Sequence, residues 1–366
     1  MARILCTVTN DLSYDQRMLR ICSTLAGAGY AVLLVGRKRP SSIPLKSRPF
    51  EQQRLPCLFQ KGKRFYLEYN LRLFLYLLTA RADVLCAVDL DTLLPAFLVS
   101  RLRGLPLVYD AHEYFTEVPE LAHRPGTKRI WEALARALIP RLDRAYTVGE
   151  ELAAELGRRY GTTFGVIRNV PFRRTPNAAG RPPHPPVLLY QGALNAGRGL
   201  EEAILAMREL PGTRLWLAGE GDLSGELRAL TRREGLTGRV RFLGYVEPER
   251  LWEITPRATL GLNLLAEQGL NYYYSLANKV FDYIQAGIPS INPDFPEYRK
   301  LRARYGCLIL LPTLDPQALA AAVRALLNDD SAYDNLCSAC RCAAVELHWE
   351  KESEKLLDIY SELLRP

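Results

Sequence analysis

Short, almost wholly apolar runs alternate along this chain with longer segments whose apolar residues recur every three or four positions. That alternation predicts strands buried on both faces, joined by amphipathic helices, as in a parallel α/β sheet. Arg3 to Thr9 and Tyr30 to Val35 read as strands around a helix from Arg17 to Ala28. Val84 to Val88, Pro106 to Tyr109 and Thr163 to Arg168 extend the first series. A second series restarts with Val187 to Tyr190, Arg214 to Ala218, Val240 to Leu243, Leu260 to Ala266 and Leu308 to Leu311. Within it, Tyr274 to Pro289 (YSLANKVFDYIQAGIP) predicts a helix of about three turns, capped by Ser275 and stopped by Gly287 and Pro289. Ala332 to Leu364 reads as helical to the end.

Between the two series lies TPNAAGRPPHPP, residues 175–186, rich in proline and poor in apolar residues. A chain of 366 residues exceeds the usual size of a single core. The expected organisation is a Rossmann-like α/β domain over 1–172, a linker over 173–186, a second such domain over 187–345, and a final helix over 346–366 that reaches back to the first domain. Charge divides at the same place. Residues 1–175 hold 27 Lys and Arg against 16 Asp and Glu, whereas residues 176–366 hold 21 against 24. The basic half suits a phosphate-bearing partner or an anionic membrane surface, or is simply a basic solvated surface.

Several function classes lose support. The loop after the first strand lacks the GxGxxG of dinucleotide folds, which argues against NAD or FAD. The eight cysteines lie mostly in apolar runs, and Cys337, Cys340 and Cys342 have no fourth ligand nearby, so no metal site is expected. The basic residues are not interleaved with aromatics as in nucleic-acid grooves. The start reads as a strand rather than a leader, and no apolar run is long enough to span a bilayer; a cytoplasmic protein is the expectation. One segment stands out. Phe65 to Thr79 (FYLEYNLRLFLYLLT) follows Lys61, Lys63 and Arg64, and suits either a helix packed under the sheet or one lying in a membrane interface.

Candidate chemistry gathers at the predicted carboxyl ends of strands, where ligands of such sheets bind. Gln191 to Leu200 (QGALNAGRGL) offers Gly192, Gly197 and Gly199 for close backbone approach and Arg198 as a forked donor to a diphosphate, although a packed turn fits the same residues. Asn278, Lys279 and Asp282 sit on the first turns of the helix read from Tyr274. Its free amides and Lys279 suit phosphate, and Asp282 suits sugar hydroxyls. His112 follows a strand, with Asp110 and Glu113 able to orient it; a structural histidine is the alternative. Asp89 and Asp91 read as helix-start or acceptor residues rather than metal ligands.

Four blocks in order then carry a resemblance over nearly the full length: DQR at 15–17 with LAGAGYAV at 25–32, YDAHE at 109–113, LYQGALNAGRGL at 189–200, and SLANKVFDYIQAGIP at 275–289. Together they resemble the retaining family 4, or group 1, glycosyltransferases of the GT-B fold. The resemblance implies two Rossmann-like domains facing each other across a cleft, and a hexosyltransferase that needs no cofactor beyond its donor, a UDP- or GDP-sugar. It implies that Arg198 and Gly192 meet the donor diphosphate, that Asn278, Lys279 and Val280 receive the phosphates, and that Asp282 holds the ribose. Gly219 and Gly221 would wall the base, with Tyr245 and Val246 packed against it. His112 would hydrogen-bond the donor sugar, and His112, Arg198 and Lys279 would carry the catalysis. The chain departs from the family at Tyr274 and Ala193, where an acid and an arginine are usual, and at Leu12-Ser13-Tyr14, in place of a glycine-rich loop. The implied outlet is cell-surface polysaccharide, lipopolysaccharide or glycolipid synthesis, with a saccharide or lipid-linked acceptor and a peripheral position on the inner membrane face. A catalytically weak nucleotide-sugar-binding protein and a sugar-nucleotide epimerase are the rival readings.

Overall fold

A computed structural model describes residues 1–122, 124–174 and 184–364, so most of the segment read as a linker lies outside the described residues. The chain forms two compact units, Met1–Asn169 with Glu352 onward, and Val170–Lys351. Each is an α/β unit built on one parallel sheet, and the architecture is that of a GT-B fold.

The first sheet comprises β1 (Arg3–Thr7), β2 (Ala31–Lys38), β3 (Glu51–Pro56), β4 (Val84–Val88), β5 (Leu107–Ala111), β6 (Arg144–Thr147) and β7 (Gly165–Val166). Their order is β3-β2-β1-β4-β5-β6-β7. Every residue of β4 and β5 is buried, as their unbroken apolar runs require of strands covered on both faces. The order reverses between β1 and β4, so the loops that follow them diverge and leave a crevice at their carboxyl ends. The first three helices of this unit are α1 (Gln16–Gly27), α2 (Gly62–Thr79) and α3 (Leu90–Arg103). α2 buries Phe65, Tyr69, Leu73 and Leu77, one residue per turn, and the Tyr69 hydroxyl donates to the carbonyl of Val8. The chain's last helix, Trp349–Leu363, adds Leu356 and Tyr360 to this unit's core. Its buried Glu352 accepts from the Arg168 amide at 2.9 Å and from the Arg168 guanidinium at 3.3 Å.

The second sheet holds β8 (Val187–Gln191), β9 (Arg214–Ala218), β10 (Val240–Gly244), β11 (Leu260–Leu262), β12 (Ser290–Pro293) and β13 (Leu308–Leu311), in the order β10-β9-β8-β11-β12-β13. Its reversal lies between β8 and β11. Three expected spans are corrected. The helix read from Tyr274 is two: Leu270–Tyr273, then Asn278–Gln285 with Ala277 at its N-cap. Ser275 does not cap the second helix, because its hydroxyl turns back to the Tyr272 carbonyl at 2.7 Å, while the Ala277 amide is taken by the Tyr298 hydroxyl at 3.0 Å. The stop signal is as read. Gly287 has φ +72°, a left-handed conformation, and the Ile288 amide closes onto the Tyr283 carbonyl. β11 ends at Leu262 rather than Ala266, and the last helical stretch breaks between Ala344 and Trp349, where the Trp349 amide bonds to the Pro171 carbonyl.

Tyr283 pins this sheet from beneath. Its hydroxyl donates to Leu189 O of β8 (3.0 Å) and Leu262 O of β11 (3.2 Å), bridging the two strands at the reversal. Its ring lies so close to Gly261 that a Cβ there would stand 2.3 Å from Cδ2. We expect Gly261→Ala to destabilise the second unit by about 1–3 kcal/mol, because the ring cannot retreat without giving up both bonds. Urea unfolding followed by a probe in that unit checks this; an unchanged midpoint would show that the ring is free to shift.

Candidate functional site

In the second unit, the loops after β8, β9 and β10 are locked by glycines. The Gly192 amide donates to Ala218 O (2.9 Å) and the Gly219 amide to Gly244 O (2.8 Å). A Cβ on Gly219 would lie 1.9 Å from Gly192 O, and one on Gly221 would lie 2.3 Å from Asn195 Oδ1, so neither position tolerates a side chain. Gly219 also holds φ +152°, which L-residues rarely adopt. The resemblance implies Gly219 and Gly221 as a wall for the base and Gly192 at the diphosphate; the structure gives each a contact that sets loop spacing.

Around this frame the structure gathers Tyr190, Arg198, Tyr272, Lys279 and Asp282. Lys279 Nζ stands 3.8 Å from the centroid of the Tyr190 ring, and the Arg198 guanidinium lies 5.2 Å from that of Tyr272. Arg198 Nε is buried with no hydrogen-bond partner. Burial pulls the Lys279 ammonium well below its ordinary range, the Arg198 charge pulls it further, and only Asp282 opposes them. Asp282 accepts from Gln191 Nε2 at 2.7 Å, and Gln191 in turn accepts from the Thr255 hydroxyl at 2.9 Å, which fixes the carboxylate's direction. The remaining predicted residues are placed differently. Asn278 and Tyr245 are exposed, Val246 is half-buried against the core, and Val280 is a core side chain whose amide already donates to Ala277 O. Tyr274 stacks edge-on with Tyr273.

In the first unit, His112 follows β5 and is held by two carboxylates. Its Nε2 lies 3.1 Å from Asp110 Oδ2, its Nδ1 lies 3.7 Å from Asp89 Oδ2, and its amide donates to Asp89 Oδ1 at 2.9 Å. Asp110, fully buried, is gripped from the other side by the buried Arg17 of α1, with Nη2 2.8 Å from Oδ1 and Nε 3.2 Å from Oδ2. Arg17 also donates to the Ile167 carbonyl. Burial alone would raise Asp110, but Arg17 and then His112 reverse it and leave the carboxyl at about 2. Burial alone would lower His112, but Asp110 and then Asp89 raise it to about 9. His112 is therefore an imidazolium at neutral pH, a donor from both nitrogens and not a base. Asp89 holds φ +58°, a left-handed backbone that aims its carboxylate back at the His112 amide.

Beside this cluster a cavity of about 730 Å³ opens at the carboxyl ends of β1 and β4. Asp89, Asp91, Glu113 and Glu120 line it, with an aromatic wall of Tyr66, Phe115 and Trp131. Trp131 meets Tyr66 and Phe115 edge-on, at 5.6 and 5.2 Å between centroids. Burial raises Asp91 to about 7, with the Thr9 hydroxyl, 2.6 Å from Oδ2, opposing. Arg17 and this aromatic wall went unassigned in the sequence. The DQR block held the signal for Arg17; the wall had none, since its rings come from separate helices. Among the described residues no group of three or more His, Cys, Asp or Glu is set to hold a metal ion.

Residues 16–171 match the family described as Glycosyltransferase Family 4, and residues 185–329 match Glycosyl transferases group 1. The chain is a GT-B-fold glycosyltransferase resembling both families. Glycogen synthase of Mycobacterium tuberculosis is 25% identical over 295 residues, covering 76% of this chain and 69% of that one. Among solved structures, the sucrose-phosphate synthase of Thermosynechococcus elongatus superposes with a TM-score of 0.80 at 19% identity, over 99% of both chains. HepE of Anabaena, in complex with UDP, gives 0.74 at 15% identity, over 99% of this chain and 100% of that one. At these identities the two structures speak for the fold. In this glycosyltransferase the His112 cluster falls within the family 4 match, and Arg198, Lys279 and Asp282 fall within the group 1 match.

The His112 cluster has a pH signature. His112 has its folded pKa raised, so the stability it lends is complete below about 6.5 and is lost as pH rises through about 9. Asp91, raised by burial, acts in the same direction, opposing folding increasingly from pH 3.8 to about 7. We expect the His112 ring, followed by NMR in the full chain, to titrate near 9, and to fall in Asp110→Asn. A wild-type value near 6.5 would overturn the ion-pair assignment.

Proposed function

We propose that this glycosyltransferase is a retaining enzyme that moves a sugar from a nucleoside-diphosphate sugar to a saccharide or lipid-linked acceptor. One observation carries the reading: Lys279 and Arg198 stand together at the sheet's reversal point, where burial and the Arg198 charge disfavour the Lys279 ammonium, Asp282 alone opposes them, and Arg198 Nε is buried without a partner. Two basic side chains that repel one another in a partly buried site are relieved when an anion joins them. A diphosphate supplies two anionic groups at the required spot, and the amides at the start of the helix Asn278–Gln285 add partial positive charge.

The residues then take roles. Arg198 and Lys279 hold the leaving diphosphate as its charge grows in an oxocarbenium-like transition state. Asp282, aimed by Gln191, accepts from the ribose hydroxyls. The Gly192, Gly219 and Gly221 loops and the Tyr245-Val246 segment bound the base. His112, as an imidazolium, donates to a sugar hydroxyl; the acceptor's proton goes to the leaving phosphate, and the sugar keeps its anomeric configuration. The carboxylates and rings of the first unit's cavity suit the hydroxyls and apolar faces of an acceptor sugar. UDP heads the candidates, since HepE was solved with it; GDP is the alternative. The enzyme would work in the cytosol on cell-surface polysaccharide or glycolipid precursors. A second reading, a donor-binding protein with weak or no transfer, is favoured by Tyr274 and Ala193, which stand where the family has an acid and an arginine.

Titration calorimetry with UDP and GDP tests the donor site. One of them should bind, and Arg198→Ala should weaken it roughly 10–100-fold. Because Lys279 is held below its ordinary range in the free chain, a diphosphate should raise it again; binding should take up a proton, and affinity should fall as pH rises. No binding of either nucleotide would sink the proposal. Binding without release of nucleoside diphosphate in the presence of acceptor sugars would favour the second reading.

A further inference from the structure

α2 and α3 pack side by side, and both turn rows of leucine to solvent. On α2 the row is Leu67, Leu71 and Leu75, on the side opposite the buried Phe65, Tyr69, Leu73 and Leu77. On α3 it is Leu94, Leu98 and Leu102, again at every fourth position. Leu67 is 75% exposed and Leu102 is 68% exposed. A helix covering a sheet normally gives this outer face to polar residues. Two adjacent rows with the same spacing make a contiguous apolar strip, and such strips mark contact surfaces.

The charges around the strip say what covers it. Lys61, Lys63 and Arg64 stand at the start of α2, Arg81 just past its end, and the exposed Arg101 in the last turn of α3, whereas Arg103 turns inward to the carbonyls of Leu77 and Ala80. The acid within α2, Glu68, is turned aside: it accepts from the amides of Leu58 and Phe59 and from Arg72. The same bonds hold the exposed Leu58 against the helix. An apolar strip with a cationic rim is the complement of an anionic bilayer surface, with side chains entering the acyl boundary and cations meeting headgroups. A second copy of the chain would instead set two cationic rims against each other.

We propose that the paired leucine rows of α2 and α3 form a docking face for an anionic lipid bilayer. Lys63 and Tyr66, at the start of the same helix, line the first unit's cavity, so one helix serves both surfaces. A lipid-borne acceptor fits this arrangement; that clause rests on the glycosyltransferase reading, whereas the docking face does not.

The test is flotation of the full chain with vesicles of phosphatidylcholine alone or mixed with phosphatidylglycerol. Wild type should float with the anionic vesicles at low salt and little with the neutral ones. Leu67→Gln/Leu71→Gln/Leu75→Gln should reduce the floated fraction on the order of tenfold, and Leu98→Gln/Leu102→Gln should reduce it in parallel. Lys61→Gln/Arg64→Gln should weaken binding to anionic vesicles only. An unchanged nucleotide-induced thermal shift would show that the variants are folded. No flotation of wild type, or equal flotation of the leucine variants, overturns the proposal; so does a dimer seen by light scattering that dissolves in the leucine variants while nothing floats. Flotation with no nucleotide binding would leave the docking face standing and remove the transferase reading. Nucleotide binding with no flotation would do the reverse.

Discussion

A cation removed from water without a counter-ion is among the least favourable things a fold can contain. The second unit brings Lys279, whose charge is disfavoured by burial, next to Arg198, and much of its local architecture keeps the two side chains there. Tyr190 and Tyr272 offer ring faces, which attract a cation without neutralising it. Asp282 is close enough to matter electrostatically, yet Gln191 and Thr255 tie it to a direction of their own. Collapse of the loops is prevented by glycine contacts that fix the spacing between the ends of β8, β9 and β10. The result is a pair of basic side chains held in place before any anion arrives, with the Lys279 charge disfavoured until something offsets burial and Arg198.

The first unit obeys the opposite rule. There Arg17 pairs with Asp110 and Asp110 with His112, while burial raises Asp89, 3.7 Å from the same imidazole, to about 8. Four elements far apart in sequence meet there, since Arg17 comes from α1, Asp89 follows β4, Asp110 ends β5 and Ile167 follows β7. This network rigidifies His112 and fixes its protonation, so the ring is set as a donor whatever lies in front of it. One unit thus holds a lysine whose charge its surroundings disfavour, and the other uses paired charges to orient His112.

How much of this was legible depends on distance along the chain. The strands showed because a strand buried on both faces must be apolar throughout, a constraint written into each segment alone. Arg198, Lys279 and Asp282 showed because each sits within a short stretch whose turn or helix residues declare the geometry. The helix start did not: Ser275 has the chemistry of a cap, but whether it caps depends on Tyr298, more than 20 residues on, which takes the Ala277 amide. The Arg17–Asp110 pair spans 93 positions, and the ring cluster of Tyr66, Phe115 and Trp131 draws on three separate elements; neither leaves a local pattern. Phe65 to Thr79 read as either a core helix or an interfacial one. The structure shows why the sequence admits both: alternate sides of one helix bury phenylalanine and tyrosine and expose leucine.

Net charge was the least transferable signal, because folding sorts charges by sign. The first half is strongly basic, yet its cavity presents four carboxyl groups against Lys63 and Arg124. Lys61, Arg64, Arg81 and Arg101 lie outside that lining, at the ends of the two leucine-bearing helices. A phosphate or carboxylate entering the cavity would meet Asp89, Asp91, Glu113 and Glu120, and the closest of these already have raised pKa values because burial and mutual repulsion disfavour their charge. A neutral sugar would meet the same groups as hydrogen-bond partners, and its apolar face would meet the rings. Recognition by carboxyl groups inside and attraction by cations outside are therefore compatible: on the proposed reading the cations would draw the chain to an anionic surface, and the cavity would select the uncharged part of what that surface carries.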